Sequence, residues 1–171
     1  IGQQHADLFI SASHRMNILY DSYREIGIAE EAGQFSAGGT TYNASMVTQN
    51  FSTKGDVAYV TGVAYTDANR DKFYSIGEGM AGTRLATSGD SAVSAAAGGY
   101  ALRAQESGMI TVTGTTGSRS FAVNLLMDGD NAKLDVVNGT TFYASESVTL
   151  LRGIHKAQLI GTAEIDATGN S

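Results

Sequence analysis

The sequence predicts a mainly β protein with a small α+β part at its N-terminus. Three observations support this fold class. Convincing helical periodicity is confined to the first 20 residues, strand-length apolar segments recur at short intervals after residue 56, and glycine-containing turn signals separate those segments. Glycine is abundant at 21 residues, proline is absent and only 16% of residues are charged, a composition that favours short strands and many turns over long helices.

Elements of two kinds are expected in the N-terminal third. Apolar residues recur at helical spacing over 3–20, which predicts one broken helix or two short ones, the second capped by Ser13. Strands are expected at Arg24–Ala29 and Tyr42–Phe51, with the glycine-rich segment Gly33–Thr41 as the loop between them. Residues 1–55 are therefore predicted to form a small domain of their own.

After residue 56 the pattern indicates strands throughout, and short strands at this spacing predict a β-sandwich over residues 56–139. The tail, residues 140–171, consists of short apolar pairs separated by small residues, and is expected either to belong to the sandwich or to lead into a β-solenoid. The predicted strands are Val57–Thr66, Thr83–Ser88, Gly99–Ala104, Met109–Gly114, Ser120–Met127, Ala132–Val137 and Ser147–Leu151.

Composition narrows the functions that the chain can have. Cysteine is absent, which excludes disulfides, thiolate metal sites and cysteine nucleophiles, and fits a bacterial secreted protein better than a disulfide-rich eukaryotic one. The net charge of −6 makes nucleic acid an unfavourable partner and divalent cations a favourable one. No apolar run approaches the roughly 18 residues of a transmembrane helix, so no transmembrane segment is predicted.

The strongest chemical signal lies in residues 67–78. Counting from Asp67, oxygen-bearing side chains stand at positions 1, 3, 5, 9 and 12, which is the ligand spacing of an EF-hand-type calcium loop. Short side chains at alternate positions of a tight loop converge on one ion, a backbone carbonyl adds a ligand, and a longer carboxylate closes the far side. The predicted calcium ligands are Asp67, Asn69, Asp71, the carbonyl of Phe73, Ser75 and Glu78.

Position 6 of this loop departs from the EF-hand pattern. It is Lys72, where such loops prefer glycine for its positive φ, so weaker binding or a relaxed loop geometry is expected. The alternative is an acidic surface turn that holds no ion. The segment Asp128–Asn131 is a second, weaker calcium candidate, and is predicted to be an ordinary hairpin turn.

Three motifs in the N-terminal region, at Ser11–Leu19, Tyr23–Ile28 and Thr48–Phe51, resemble the second half of bacterial CAP (cysteine-rich secretory protein-like) domains. The resemblance implies part of an α-β-α sandwich whose other half lies upstream. It also implies that His14 matches one member of a cleft group of two His and two acidic residues that can hold zinc. The alternative for His14 is a structural or solvated side chain.

Residues 58 to about 127 are similar to calcium-bound B-type repeats (Cna B-like) of bacterial surface proteins. That resemblance rests on Val60–Asp67, Gly77–Leu85 and Gly98–Leu102, and implies an immunoglobulin- or transthyretin-like sandwich that serves as a rigid stalk. The tail resembles the segment that precedes the nonapeptide repeats of RTX proteins, although no such repeat is present.

Taken together, these features predict a non-catalytic structural or adhesive module of a secreted or cell-surface bacterial protein, stabilised by calcium. Half of a CAP domain would leave apolar faces uncovered, so residues 1–51 are expected to pack against the missing half or against neighbouring copies in an oligomer or assembly. The alternative is a CAP-type hydrolase, or a binder of lipid or another small ligand, completed by the missing half. No Ser-His-Asp or paired-carboxylate motif supports the hydrolase.

Overall fold

The computed structural model of the chain describes residues 2–20, 22–53, 57–105 and 107–170. The chain divides into two compact units, residues 1–55 and 56–171. The fold is mainly β, with its helices confined to the start of the first unit. No helix in the described ranges is long and apolar enough to cross a membrane.

Two short helices, α1 (Gly2–Ile10) and α2 (Ala12–Ile18), open the first unit. They are separated at Ser11, whose backbone is extended (φ −69°, ψ 122°). The Arg15 guanidinium donates hydrogen bonds at 3.0 Å to the carbonyls of Phe9 and Ile10, which satisfies carbonyls at the C-terminal end of α1. The N-cap of α2 is therefore Ser11, and the prediction that Ser13 caps this helix was wrong.

A long hairpin completes the first unit. Strands β1 (Tyr23–Ala37) and β2 (Thr40–Thr53) pair in antiparallel fashion up to Ala37 and Thr40. Gly38 and Gly39 form the turn with φ values of 57° and 79°, the positive values that a tight two-residue hairpin turn requires. The expected loop over Gly33–Thr41 was wrong, because most of this segment continues the two strands.

The described residues of the first unit form no buried core. Its helices contact the hairpin through polar pairs, such as Gln4 with Ser45 at 2.8 Å and His5 with Gln49 at 2.8 Å. No residue whose exposure is described between 3 and 53 is buried. Large apolar side chains stay exposed in both helices and both strands, namely Phe9, Ile10, Met16, Leu19, Tyr20, Ile26, Ile28, Phe35, Tyr42 and Met46.

The second unit is a β-sandwich, as the strand spacing predicted. Two of its strands, at 99–104 and 132–137, have the predicted bounds, whereas four short ones were not predicted. In chain order the strands are β3 (Ala58–Tyr65), β4 (Arg84–Ala86), β5 (Ser91–Val93), β6 (Gly99–Ala104), β7 (Ser107–Thr116), β8 (Arg119–Asp128), β9 (Ala132–Val137), β10 (Thr141–Ala144), β11 (Val148–Arg152), β12 (Lys156–Leu159) and β13 (Ala167–Thr168).

These strands form two sheets. The five-stranded sheet has the order β12-β10-β9-β3-β6, and the six-stranded sheet has the order β13-β11-β8-β7-β4-β5. The tail contributes strands to both sheets, so it belongs to the sandwich rather than to the start of a solenoid. The segment Asp128–Asn131 joins β8 of one sheet to β9 of the other, so the prediction of a hairpin turn there was wrong.

The inner faces of the two sheets bury one hydrophobic core. Val60, Leu134 and Phe142 contribute from the five-stranded sheet, and Phe121 and Leu125 from the six-stranded sheet. The rings of Phe121 and Phe142 meet edge to face, with centroids 5.3 Å apart. The inner faces of both sheets thus supply the apolar side chains of the core, as in an aligned β-sandwich.

The Gly98-Gly99-Tyr100 segment fixes one edge of this core. Gly98 has a φ of 85°, and a Cβ atom there would collide with the carbonyl of Ala64, so only glycine fits. The buried hydroxyl of Tyr100 donates a hydrogen bond to the carbonyl of Leu134 across the sheet. Burial, with the nearby Asp135 carboxylate, raises the pKa of Tyr100, so the phenol stays protonated and keeps donating.

A smaller cluster lies on the outer face of the five-stranded sheet. Tyr65, Val137 and Tyr143 are buried there, with Val63 packed against them. An outward face is normally solvated in an antiparallel sandwich, so its burial shows that another segment covers it. The loop that follows β3 is that segment, and it also carries the predicted calcium ligands.

Candidate functional site

The loop between β3 and β4 is fastened at its base to the five-stranded sheet. The Thr66 amide donates to the Glu78 carbonyl at 2.9 Å, which brings the two ends of the loop together. The Asp67 amide donates to Asn138 Oδ1 at 2.9 Å, which ties the loop to the turn between β9 and β10. Residues 67–78 therefore form a closed loop on a rigid support.

Asp67, the first predicted ligand, contains the one unsatisfied buried side-chain atom among the described residues. Its Oδ2 accepts a long bond of 3.3 Å from the Lys72 amide. Its Oδ1 is buried and has no hydrogen-bond partner. An unpaired buried polar atom costs about 1–3 kcal/mol, and more when it is charged, so this oxygen requires a partner.

The predicted ligands in the middle of the loop bond to one another. Asn69 accepts from the Asp71 amide at 3.0 Å, and its Nδ2 donates to Asp71 Oδ2 at 2.8 Å and to Ser75 Oγ at 3.4 Å. Asp71 Oδ1 also accepts from the Phe73 amide at 2.8 Å. Asn69, Asp71 and Ser75 thus lie close together, whereas Asp67 bonds to the Lys72 amide, so convergence of the predicted ligands on one ion stays a prediction. Phe73 itself lies in the exposed arm of the loop, with its ring 75% exposed.

Glu78, the last predicted ligand, reaches back across the loop. Its Oε1 accepts from the amides of Ala68 at 2.9 Å and Asn69 at 3.4 Å, and its Oε2 accepts from the Ser75 amide at 2.8 Å. The carboxylate therefore spans the start and the end of the loop. Its role as the closing calcium ligand stays a prediction.

The backbone conformation at position 6 shows how the loop accommodates Lys72 where glycine is preferred. Lys72 has a φ of 67°, the left-handed conformation for which calcium loops usually employ glycine. Arg70 shares this conformation with a φ of 63°. The loop thus keeps the required backbone geometry with lysine in place of glycine, at the energetic cost that a side chain brings to this region.

The donor set fits calcium in its chemistry. Carboxylate, amide, hydroxyl and carbonyl oxygens are the ligands that calcium prefers, and the unpaired Asp67 Oδ1 gives an ion a direct role. Nowhere in the described residues are three acidic or histidine side chains gathered into a metal-binding cluster. An ion would therefore have to draw Asp71 and Glu78 away from their present amide partners and towards Asp67.

His14 lies apart, in the first unit. Its Nδ1 is 2.9 Å from Ser11 Oγ, at the junction of the two helices. It lines a cavity of about 280 Å³ between α2 and β2, whose wall includes Gln49. Within the part of the chain that the structure describes, no acidic side chain joins it in a metal-binding group, so zinc binding at His14 stays a prediction.

The sequence analysis missed a cavity of about 300 Å³ between the loop and the outer face of the five-stranded sheet. Tyr65, Asp135 and Tyr143 line it from the sheet. Burial raises the pKa of Tyr65 to about 12, and Tyr143 and neighbouring carboxylates act in the same direction. The one sequence signal was Asp135 itself, a charged residue inside the apolar run Leu134–Val137.

Comparisons of the chain with protein-family models, with curated proteins and with solved structures found no match. The resemblances to CAP domains and to B-type repeats therefore stay predictions from sequence motifs.

Proposed function

We propose that the chain is a non-catalytic, calcium-stabilised structural or adhesive module of a secreted or cell-surface bacterial protein. The observation that carries this proposal is the buried, unpaired Asp67 Oδ1 at the head of a closed acidic loop. The absence of cysteine and the net charge of −6 agree with a secreted protein that relies on a divalent cation for stability.

The proposed role of calcium is structural. Asp67, Asp71 and Glu78 bring three carboxylates to one short loop, where they repel one another unless a cation neutralises them. An ion that binds only the folded chain stabilises it by about 2.7 kcal/mol at one hundred times its dissociation constant. Since the loop is tied to β3 and to Asn138, that stabilisation acts on the whole sandwich.

Thermal melts of the full chain, with added calcium and with excess chelator, test the proposal. We expect a higher melting temperature in calcium, and no calcium response in Asp67→Asn, because the amide supplies less charge to the ion. Glu164→Gln is the matched control, since it removes one negative charge from an exposed tail residue and should keep the calcium response.

The result that contradicts the proposal is equally clear. If calcium and chelator give the same melting temperature for the wild-type chain, the loop is an acidic turn and calcium has no role. If the Glu164→Gln control loses the response as well, the effect of calcium comes from overall charge rather than from the loop.

We also propose that another polypeptide covers the first unit. The exposed apolar side chains on its helices and hairpin, and its lack of any buried residue in the described range, favour this. An isolated two-stranded hairpin is at best marginally stable in water, so packing against further structure would stabilise it. The sequence motifs indicate two occupants, the missing half of a CAP-type domain or a neighbouring copy in an assembly.

Light scattering of the full chain over a range of concentrations tests for the neighbouring copy. Met16 on α2 is 74% exposed, and we expect Met16→Lys to shift an assembly towards the monomer. Ser13→Lys adds the same charge to a polar, exposed position of the same helix and should leave the assembly intact. A wild-type chain that is monomeric at every concentration would rule out the neighbouring copy.

A further inference from the structure

The cavity on the outer face of the five-stranded sheet has the features of a ligand site. It measures about 300 Å³, near the lower end of the size range of small-molecule pockets. One wall is the sheet, and the other is the 71–74 arm of the acidic loop. The residues that matter for its chemistry are Tyr65, Phe73, Tyr74, Asp135, Tyr143 and Gln158.

The sheet holds three of these side chains in one row. Tyr143 on β10 is the direct partner of Asp135 on β9 and of Gln158 on β12, so the three side chains share the outer face. The Val63 amide on β3 donates to Asp135 Oδ1 at 2.9 Å, which extends the row to a fourth strand. The polar groups thus come from the paired strands β9, β10 and β12, of which β12 is an edge strand, and this pairing favours a pre-formed site.

Asp135 is a buried polar group that faces this cavity. Its side chain is only 5% exposed, and Lys133 Nζ lies 2.8 Å from its Oδ2. Lys133 remains half exposed, so its ammonium also reaches the solvent side of the cavity. The ion pair of buried Asp135 with half-exposed Lys133 presents hydrogen-bonding groups to a ligand without requiring the ligand to carry a charge.

The charged residues that line the cavity are two of each sign. Lys72 and Lys133 oppose Asp71 and Asp135, and the nearby Asp67 and Glu78 carboxylates also act on Tyr65, so the surroundings disfavour an anion. The remaining walls are mainly aromatic. The rings of Tyr65 and Tyr74 meet edge to face with centroids 5.9 Å apart, and the ring of Phe73 is largely exposed beside them.

From these features we infer that the cavity binds a neutral saccharide of about one ring. A sugar ring presents C–H groups on its faces, which pack on the electron-rich faces of tyrosine and phenylalanine. Its hydroxyls both donate and accept hydrogen bonds, which matches the carboxylate of Asp135, the ammonium of Lys133 and the amide of Gln158. A charged ligand would leave the aromatic rings without a packing partner, and a fully apolar ligand would leave the polar side chains without hydrogen-bond partners.

The loop couples this site to calcium. Asp71, Lys72, Phe73 and Tyr74 belong both to the predicted calcium loop and to the wall of the cavity. This coupling rests on the proposed function, the binding of calcium by the loop. An ion that orders the loop would also fix this wall of the cavity and strengthen saccharide binding. The cavity itself is formed by side chains alone and does not depend on that proposal.

Titration of the full chain with the methyl glycosides of glucose, galactose, mannose and N-acetylglucosamine, followed by NMR, tests the inference. We expect at least one of them to shift the resonances of the cavity residues, with a dissociation constant of roughly 1 mM. Phe73→Ala should weaken that binding about threefold to tenfold, because it removes one ring of the stack. Its backbone carbonyl, the predicted calcium ligand, is retained.

Two further variants make the test specific. Gln158→Ala removes an exposed amide on an edge strand and should also weaken binding without unfolding the sandwich. Ile76→Ala is the matched control, because Ile76 lies in the same loop, is 99% exposed and does not line the cavity. The inference is overturned if none of the four glycosides shifts the cavity resonances, or if Ile76→Ala weakens binding as much as Phe73→Ala.

Repeating the titration in excess chelator separates the two proposals. Weaker binding in chelator supports both the saccharide site and its coupling to calcium. Unchanged binding, in a chain whose melting temperature also ignores calcium, leaves the saccharide site in place and overturns the proposed role of calcium. Calcium-dependent stability without any glycoside binding overturns the saccharide site alone.

Discussion

The two units of this chain contain the same kinds of apolar residue but bury them very differently. In the sandwich, Leu134 and Phe142 are fully buried between two sheets. In the first unit, Ile26, Ile28 and Phe35 lie in equally regular strands and remain about half exposed. The contrast shows that an alternating strand pattern provides an apolar face, whereas a core requires a second layer to cover that face.

The two-sheet arrangement provides that second layer, and the hairpin lacks it. Strand β1 pairs with β2 over 14 positions, a longer ladder than any in the sandwich. Backbone hydrogen bonds alone contribute little net stability, because the unfolded chain forms equivalent bonds with water. We therefore expect the first unit to depend on a partner, and the sandwich to fold by itself.

Amide hydrogen exchange of the full chain should give the largest difference between the units. Under conditions where light scattering shows a monomer, we expect the β3 and β9 amides to exchange roughly a thousandfold more slowly than those of β1 and β2. The reason is that opening the sandwich exposes a core, whereas opening the hairpin exposes side chains that are already in water. Equal protection in the two units would contradict this comparison.

A matched pair of phenylalanine truncations gives the next largest effect. Phe142 is fully buried against Phe121, so Phe142→Ala should lower the free energy of unfolding of the sandwich by about 3–5 kcal/mol. Phe35 is 48% exposed, so Phe35→Ala should change stability by only about 0.5 kcal/mol in the monomer. Urea denaturation measures both. A large loss in Phe35→Ala would show that its ring is covered in solution.

The sandwich was more predictable from sequence than the hairpin. The strand at 132–137 was predicted with the correct bounds, because its apolar alternation and its flanking turns agree. The prediction of a loop at Gly33–Thr41 was wrong because it took the glycines to interrupt the strands. Gly38-Gly39 is instead the two-residue turn signal of a hairpin. The strands at 141–144 and 167–168 are too short to show a period, and only their pairing partners define them.

The two candidate sites, the calcium loop and the cavity, also differ in how well the sequence predicts them. The calcium site at residues 67–78 stays a prediction, and it could be made because all of its proposed oxygen ligands fall within 12 consecutive residues, where a spacing motif applies. The cavity could not be predicted, because Tyr65 and Asp135 are 70 positions apart and meet only through the parallel pairing of β3 with β9. A parallel pair of strands has no local sequence pattern by which it could be predicted. The sequence therefore offered one hint of the cavity, the charged residue Asp135 within an apolar run.

Alkaline pH should destabilise the sandwich, because both of the tyrosines with a raised pKa lie there. Burial raises the pKa of Tyr65 from its usual value near 10 to about 12, and burial raises that of Tyr100 as well. Between pH 10 and 12 the unfolded chain releases these protons while the folded chain retains them. The stabilising contribution of these tyrosines is therefore complete below pH 10 and is lost as the pH rises through the folded pKa, by about 1.4 kcal/mol per pH unit at most for each tyrosine.

Urea midpoints measured across this pH range test the prediction. The wild-type midpoint should fall between pH 10 and 12, and Tyr65→Phe should fall less steeply, because phenylalanine has no proton to release while Tyr100 still does. The two proteins differ only at residue 65, so the difference between the two slopes isolates Tyr65. Identical slopes would mean that water reaches the Tyr65 hydroxyl in solution, and that the acidic loop does not cover the outer face of the sheet as closely as its burial requires.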